Sequence, residues 1–230
     1  MSLVFTMALY LINACRNDDT EIAKMLIENK ADLDLQDKDG STVLMWACYK
    51  NNVEIAKILI DNGVNLNIQD KDGWTALIFA CFKNNIELAK ILIEKKTNLD
   101  IQDKDGWTAL MWVCRYNNTE TAKILIDNGA NLNIQTKCGT TALIFACMNN
   151  NTEIVKILID NGADLDLQDE NSWTALMIAC MNNNTETAKI LIDNGVNLDL
   201  QDEDGWTALI FACFKNNIEI SCYTLEYMFL

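Results

Sequence analysis

Asp70 to Ile93 read D-K-D-G-W-T-A-L-I-F-A-C-F-K-N-N-I-E-L-A-K-I-L-I, and this stretch decides the fold. D-x-D-G is a tight turn, with Gly73 where a positive φ is needed. Thr75 follows as a helix cap, its hydroxyl placed to accept an orphan amide hydrogen bond. Leu77, Ala80 and Cys81 fall at i, i+3, i+4, the buried stripe of a short helix. Asn84 tolerates the left-handed conformation that stops a helix, and Asn85 is placed to cap the next one. There Leu88, Ile91 and Leu92 repeat the i, i+3, i+4 spacing, and Glu87 and Lys90 form an i, i+3 pair. Further along, N-L-D-I-Q leads out from Asn98 to another D-K-D-G-W-T.

The same text recurs outward in both directions. Gly40, Gly73, Gly106, Gly139 and Gly205 lie on a 33-residue ladder, and Ser172 takes the missing rung. Met25, Ile58, Ile91, Ile124, Ile157 and Ile190 mark the second helix at the same period. The units run about 7–39, 40–72, 73–105, 106–138, 139–171, 172–204 and 205–230, the first and last atypical. A fixed period of this length signals a solenoid.

The unit resembles the ankyrin repeat: turn, two antiparallel helices and an extended loop in 33 residues. The resemblance spans roughly residues 6–220. It implies an all-α solenoid of stacked helix-turn-helix units with β-turn tips in one domain. There are departures. The family's T-P-L-H stands here as T-A-L-I or T-A-L-M, as at Thr75-Ala76-Leu77-Ile78, so the hydrogen bonds of the family's His are lost. The glycine between the helices is replaced by Asn51, Asn84, Asn117, Asn150, Asn183 and Asn216.

The ends are read against this register. Ala8–Asn17 align with Ser41–Lys50, so the apolar run Leu3–Cys15 is helix one of an N-terminal cap. It is not a secretory signal, which needs a positively charged start. After Ile220 the pattern breaks into S-C-Y-T-L-E-Y-M-F-L. Codons for S-C-Y-T-L read one base later can spell A-V-I-L, so the tail is either a divergent cap or an out-of-frame end. It is apolar where a cap is expected to be polar.

Composition narrows the function. The 230 residues carry a formal net charge of -15, with no His and no Pro. Nucleic-acid binding needs cations against phosphate, so DNA, RNA and anionic membranes are disfavoured and basic partners favoured. Without His the commonest general base and metal ligand is gone. No run reaches the ~18 apolar residues of a membrane helix. The chain is expected to be soluble, intracellular and monomeric.

Apparent sites dissolve on inspection. Cys15, Cys48, Cys81, Cys114, Cys147, Cys180 and Cys213 share one repeat position that takes a small buried residue. Neighbours about one helix diameter apart, ~10 Å, are too far for a disulfide, which needs Cα atoms within ~7 Å. Paired spacings such as C-x-x-C, which zinc needs, are absent. Cys138 and Cys222 lie off the ladder as candidate exposed thiols. The acidic loop before Gly40 puts Leu35 and Trp46 where a calcium loop needs carboxylates. The N-N-T triplets at Asn117, Asn150 and Asn183 match a glycosylation pattern but read as helix-entry turns. No Ser or Cys has a base to activate it. Neither enzyme, cofactor nor metal is expected.

The resemblance also implies where a partner binds: along a concave face of turn tips and the exposed side of helix one. The position after the ladder glycine holds Ser41, Trp74, Trp107, Thr140, Trp173 and Trp206. The helix positions are Tyr49 and Lys50, Phe82 and Lys83, Arg115 and Tyr116, Met148 and Asn149, Met181 and Asn182, Phe214 and Lys215. The partner-binding candidates are Trp74, Trp107, Trp173, Trp206, Tyr49, Phe82, Lys83, Arg115, Tyr116, Met148, Met181 and Phe214, residue types that dominate binding hot spots. Trp46, Phe79, Trp112, Phe145, Ile178 and Phe211 are expected to pack between repeats. The expected function is an adaptor or blocker of an intracellular protein, as when such arrays contact host proteins. The alternative is a truncated repeat-family fragment without a specific partner.

Overall fold

A computed structural model describes residues 3–228. Among them are only helices and turns. In chain order these are α1 (Leu3–Arg16), α2 (Thr20–Glu28), α3 (Val43–Lys50), α4 (Val53–Asp61), α5 (Ala76–Phe82), α6 (Ile86–Glu94), α7 (Ala109–Arg115), α8 (Thr119–Asp127), α9 (Ala142–Met148), α10 (Thr152–Asp160), α11 (Ala175–Met181), α12 (Thr185–Asp193), α13 (Ala208–Phe214) and α14 (Ile218–Met228). They form two compact units, one ending at Trp112 and the other starting at Val113. In the first, α3 packs between α1 and α5, and α4 between α2 and α6. In the second, α11 packs between α9 and α13, and α10, α12 and α14 stack in turn. Each unit is thus a solenoid-like stack of helix hairpins.

The local signals act as the sequence predicts. Thr75 Oγ1 accepts the Ile78 amide at 3.2 Å, and Thr141 does the same for Ile144 at 3.2 Å. Asn51, Asn84, Asn117, Asn150, Asn183 and Asn216 all have φ between 53° and 59°. Helix one is buried over more than a stripe. Val43, Leu44, Met45, Ala47 and Cys48 are all buried, because α3 has neighbours on both sides.

Where the family histidine is replaced by Met, part of its hydrogen bonding survives. The Thr42 amide donates to Met45 Sδ at 3.3 Å, and the Thr108 and Thr174 amides donate to Met111 and Met177 Sδ, each at 3.5 Å. Thioether sulfur is a weak acceptor.

The turns form a ladder of their own. Gln69 Nε2 donates to the Gly73 carbonyl at 2.8 Å and to the Gln102 carbonyl of the next repeat at 2.9 Å. Gln36, Gln135 and Gln168 make the same pair of bonds. Gly73 has φ 83°, and a Cβ there would meet the Asp103 backbone at 2.8 Å. Glycine is therefore required twice at this rung, for its conformation and for the close approach.

Three expectations need correction. Asn85 stands at the N-cap of α6, but its side chain makes no cap bond. Its Nδ2 instead donates at 2.7 Å to the Cys48 carbonyl at the end of α3, which also accepts the Asn51 amide at 3.2 Å. Asn52, Asn151 and Asn217 do cap their helices while their amides reach Thr20, Thr119 and Thr185 hydroxyls. Asn85 faces Val53 at that place. Asn184 bonds Cys147 although Thr152 stands at the matching position, so the missing hydroxyl is not the whole reason.

The second correction concerns Glu87. It pairs with Lys57 of the preceding repeat at 2.8 Å, not with Lys90. Matching inter-repeat pairs join Lys24 to Glu54 and Lys189 to Glu219. The third is Cys213, which is exposed while its counterparts are buried, because no described helix packs beyond α13 on that side. Ile210 and Ile218 are exposed at the same edge.

The termini depart from the common unit in length. α1 starts at Leu3, well before the turn register would allow, and buries Ala8, Leu11, Ile12 and Cys15. α14 continues through the altered tail to Met228. Ile220 and Thr224 stay buried, and the Tyr223 and Tyr227 hydroxyls both donate to Asp193 Oδ1 at 2.6 Å. Phe229 and Leu230 of the tail lie outside the described residues.

Candidate functional site

The candidate residues lie where turn tips meet the outer side of helix one. In the first unit the aromatic side chains touch edge to face or tilted, as ring quadrupoles favour. Trp74 lies 5.0 Å from Phe79, 5.1 Å from Phe82 and 5.0 Å from Trp112. Trp107 stands 4.5 Å from Trp112, and Phe82 5.4 Å from Trp112. Tyr49 joins through Phe79 at 6.1 Å and through Trp46 at 5.9 Å. Lys83 Nζ sits 4.0 Å over the Tyr49 ring. Five candidates, Tyr49, Trp74, Phe82, Lys83 and Trp107, therefore form one cluster, knitted by Trp46, Phe79 and Trp112.

In the second unit Trp173 and Trp206 flank Phe211 at 4.6 and 5.2 Å, and Phe214 lies 5.5 Å from Trp206. Phe211 is buried, while Phe214 is 61% exposed. Arg115 Nη1 donates to Asn149 Oδ1 at 3.1 Å, beside exposed Tyr116 and Met148. Met181 is half-buried one repeat beyond Met148. All four candidate tryptophans are half-buried.

Carboxylates beneath the rings anchor the turns. Asp37 Oδ1 accepts the Asp39 and Ser41 amides, both at 2.9 Å, and its Oδ2 accepts the Trp46 indole N–H at 3.0 Å. Asp103 does the same with Trp112 at 3.3 Å. Asp70 has Phe79 in place of that indole and bonds only through Oδ1, to the Trp74 and Asp72 amides. Burial raises its pKa above the usual value, the two amide bonds oppose this, and Asp72 and Asp37 push it further up. Burial also pushes the Cys15, Cys48 and Cys180 thiols up to about 12, so they are protonated and unreactive at neutral pH.

A cavity of about 270 Å³ opens in the first unit, lined by Ser41, Met45, Trp46, Tyr49 and Phe79. Trp46, expected mainly to pack between repeats, is part of its wall. Arg16 is not among the sequence candidates, and its guanidinium lies 4.8 Å over the Trp46 ring. The signal for Arg16 is its alignment with Tyr49 one period later. The signal for Trp46 is an alternation every second repeat: Met45-Trp46, Ile78-Phe79, Met111-Trp112, Ile144-Phe145.

No group of three or more His, Cys, Asp or Glu among the described residues is placed to hold a metal ion. No described helix is long and apolar enough to cross a membrane.

Repeated helix hairpins, turn-to-turn hydrogen bonds and an aromatic outer surface define a helical-repeat scaffold. A family model for ankyrin repeats matches in three copies, over residues 11–103, 84–169 and 161–228. The chain belongs to the ankyrin-repeat family. Ankyrin repeats are in general modules for protein–protein interaction. No curated protein matches the chain.

Proposed function

We propose that the chain is a non-catalytic binding module that engages an intracellular protein as an adaptor or blocker. Half-buried Trp74, Trp107, Trp173 and Trp206 carry this reading. Each is packed on a neighbouring ring, so it presents apolar area with little rotamer entropy left to lose on binding. Preformed Trp and Tyr surface with Arg beside it is the composition of hot spots. The chain works as a monomer in the cytoplasm or another intracellular compartment, where its cysteines stay reduced.

The test is affinity capture from intracellular extract with the wild-type chain and with a variant carrying Trp74→Ala, Trp107→Ala, Trp173→Ala and Trp206→Ala. Circular dichroism checks that the variant is folded. A protein retained by the wild type alone supports the reading. Equal retention, or none, removes it.

A further inference from the structure

We infer that the cavity over Trp46 receives one large apolar side chain of a partner segment flanked by carboxylates, an acidic peptide. This rests on the reading of the chain as a protein-binding module and names the chemistry of the partner at one place.

Size sets the occupant. At about 270 Å³ the cavity falls just below the ~300–1,000 Å³ of small-molecule sites. Its walls are Met45 and the rings of Trp46, Tyr49 and Phe79, and its hydroxyls are those of Ser41 and Tyr49. That is room for one anchor side chain of Leu, Phe or Met size, held by dispersion and area burial.

Charge sets the flanks. Three cations stand on the rings of this cavity: Arg16 at 4.8 Å over Trp46, Lys83 at 4.0 Å over Tyr49 and Lys50 at 5.9 Å over Tyr49. None of the three has a carboxylate partner among the described residues. Elsewhere in this unit Lys24, Lys57 and Lys95 are paired with Glu54, Glu87 and Asp61 of neighbouring repeats. The carboxylate beneath, Asp37, is held by the Trp46 indole and the Asp39 and Ser41 amides. Asp39 lies outward at the turn tip, next to Lys38. The cavity thus has a cationic rim on a chain of net charge -15. At physiological salt the Debye length is ~8 Å, so the rim and not the distant acidic surface sets the sign felt by a bound segment. An acidic segment therefore fits here although the whole chain favours basic partners.

The test is an NMR titration that follows the Trp46 indole N–H, assigned with Trp46→Phe. Three peptides are compared: one Leu between two pairs of Glu, the same with Lys for Glu, and the same with Gly for Leu. The Glu–Leu peptide is expected to shift the Trp46 signal and to bind at least tenfold tighter than the other two. A variant with Arg16→Glu and Lys83→Glu, folded by circular dichroism, should lose that tenfold. Equal or tighter binding of the Lys peptide, or no loss on charge reversal, overturns the inference. If no peptide moves the Trp46 signal, the inference also falls. Protein capture by the whole chain would still stand or fall on the tryptophan substitutions.

Discussion

The amide of Glu203 lies 3.4 Å from the carbonyl oxygen of Asn171, where the matching turn-to-turn bonds Lys71–Asp39, Lys104–Asp72 and Glu170–Cys138 measure 3.0, 2.9 and 2.8 Å. Ser172 explains the difference. It takes the ladder glycine's place with φ 61°, and at Gly40, Gly73 and Gly139 an added Cβ would come to 2.8 Å from the next turn's backbone. Ser172→Gly should relieve both the left-handed strain and the stretched bond. The expected gain is about 1 kcal/mol, read as a raised urea midpoint. An unchanged or lower midpoint would contradict this. The converse change, Gly73→Ala, drives a Cβ to 2.8 Å from backbone and should cost more than 1 kcal/mol, the lower end of left-handed strain.

Two threonines at one repeat position should respond differently. Thr121 Oγ1 is buried with no hydrogen-bond partner, whereas Thr187 Oγ1 donates to Asn150 Oδ1 at 2.8 Å. Ile55, Ile154 and Ile220 occupy the position in other repeats and are buried. Thr121→Val removes an unsatisfied polar group and should stabilise by about 1–2 kcal/mol. Thr187→Val loses that bond, and exposed Asn150 turns its Oδ1 to water, so the change should be neutral or destabilising. Thermal melts of both variants decide it.

Thiol reactivity should sort by burial. Cys138, Cys213 and Cys222 are exposed, and Cys15, Cys48, Cys81, Cys114, Cys147 and Cys180 are buried. At pH 8 a thiol reagent should modify three cysteines of the folded chain and nine after denaturation. Mass spectrometry of the labelled peptides would place them. Early labelling of Cys48 would show that the repeats open locally.

Asp70 should leave a signature in stability against pH. Its carboxyl is raised in the folded state, so the native chain holds that proton more tightly than the unfolded one. The stabilising contribution is full below the unfolded pKa, ~3.9, and is lost as pH rises through the raised folded value. Asp70→Asn keeps Oδ1 for the Trp74 and Asp72 amides without the charge. Thr136 already serves as a neutral acceptor at this position, taking the Thr140 amide at 3.0 Å. Urea midpoints from pH 3 to pH 8 should show the variant more stable than wild type near neutrality, with the gap closing in acid. A gap independent of pH would reject the role given to Asp70.

Much of the fold was legible because one repeat contains its own turn, caps and stops. The Thr75 cap, the left-handed Asn84 and the glycine at position 73 each follow from local chemistry. What a single unit could not reveal is the bonding between units. Asn85 turns to Cys48 and Glu87 to Lys57, partners 37 and 30 residues away. The candidate surface was legible as a column of rings but not as a cavity. The alternation of Trp46 and Trp112 with Phe79 spans two repeats, so no single unit displays it. Arg16 stands one period before Tyr49, in the atypical first unit.

The central claim is that the ringed outer surface binds a protein. Once capture has supplied a partner, the direct test is its dissociation constant for purified wild-type chain and for the four-tryptophan alanine variant, with circular dichroism and melting of both recorded. Hot-spot truncation costs 2 kcal/mol or more, so an increase in Kd of about thirtyfold or greater is predicted for a folded variant. An unchanged Kd in a folded variant would contradict the account and move the binding surface elsewhere on the repeats.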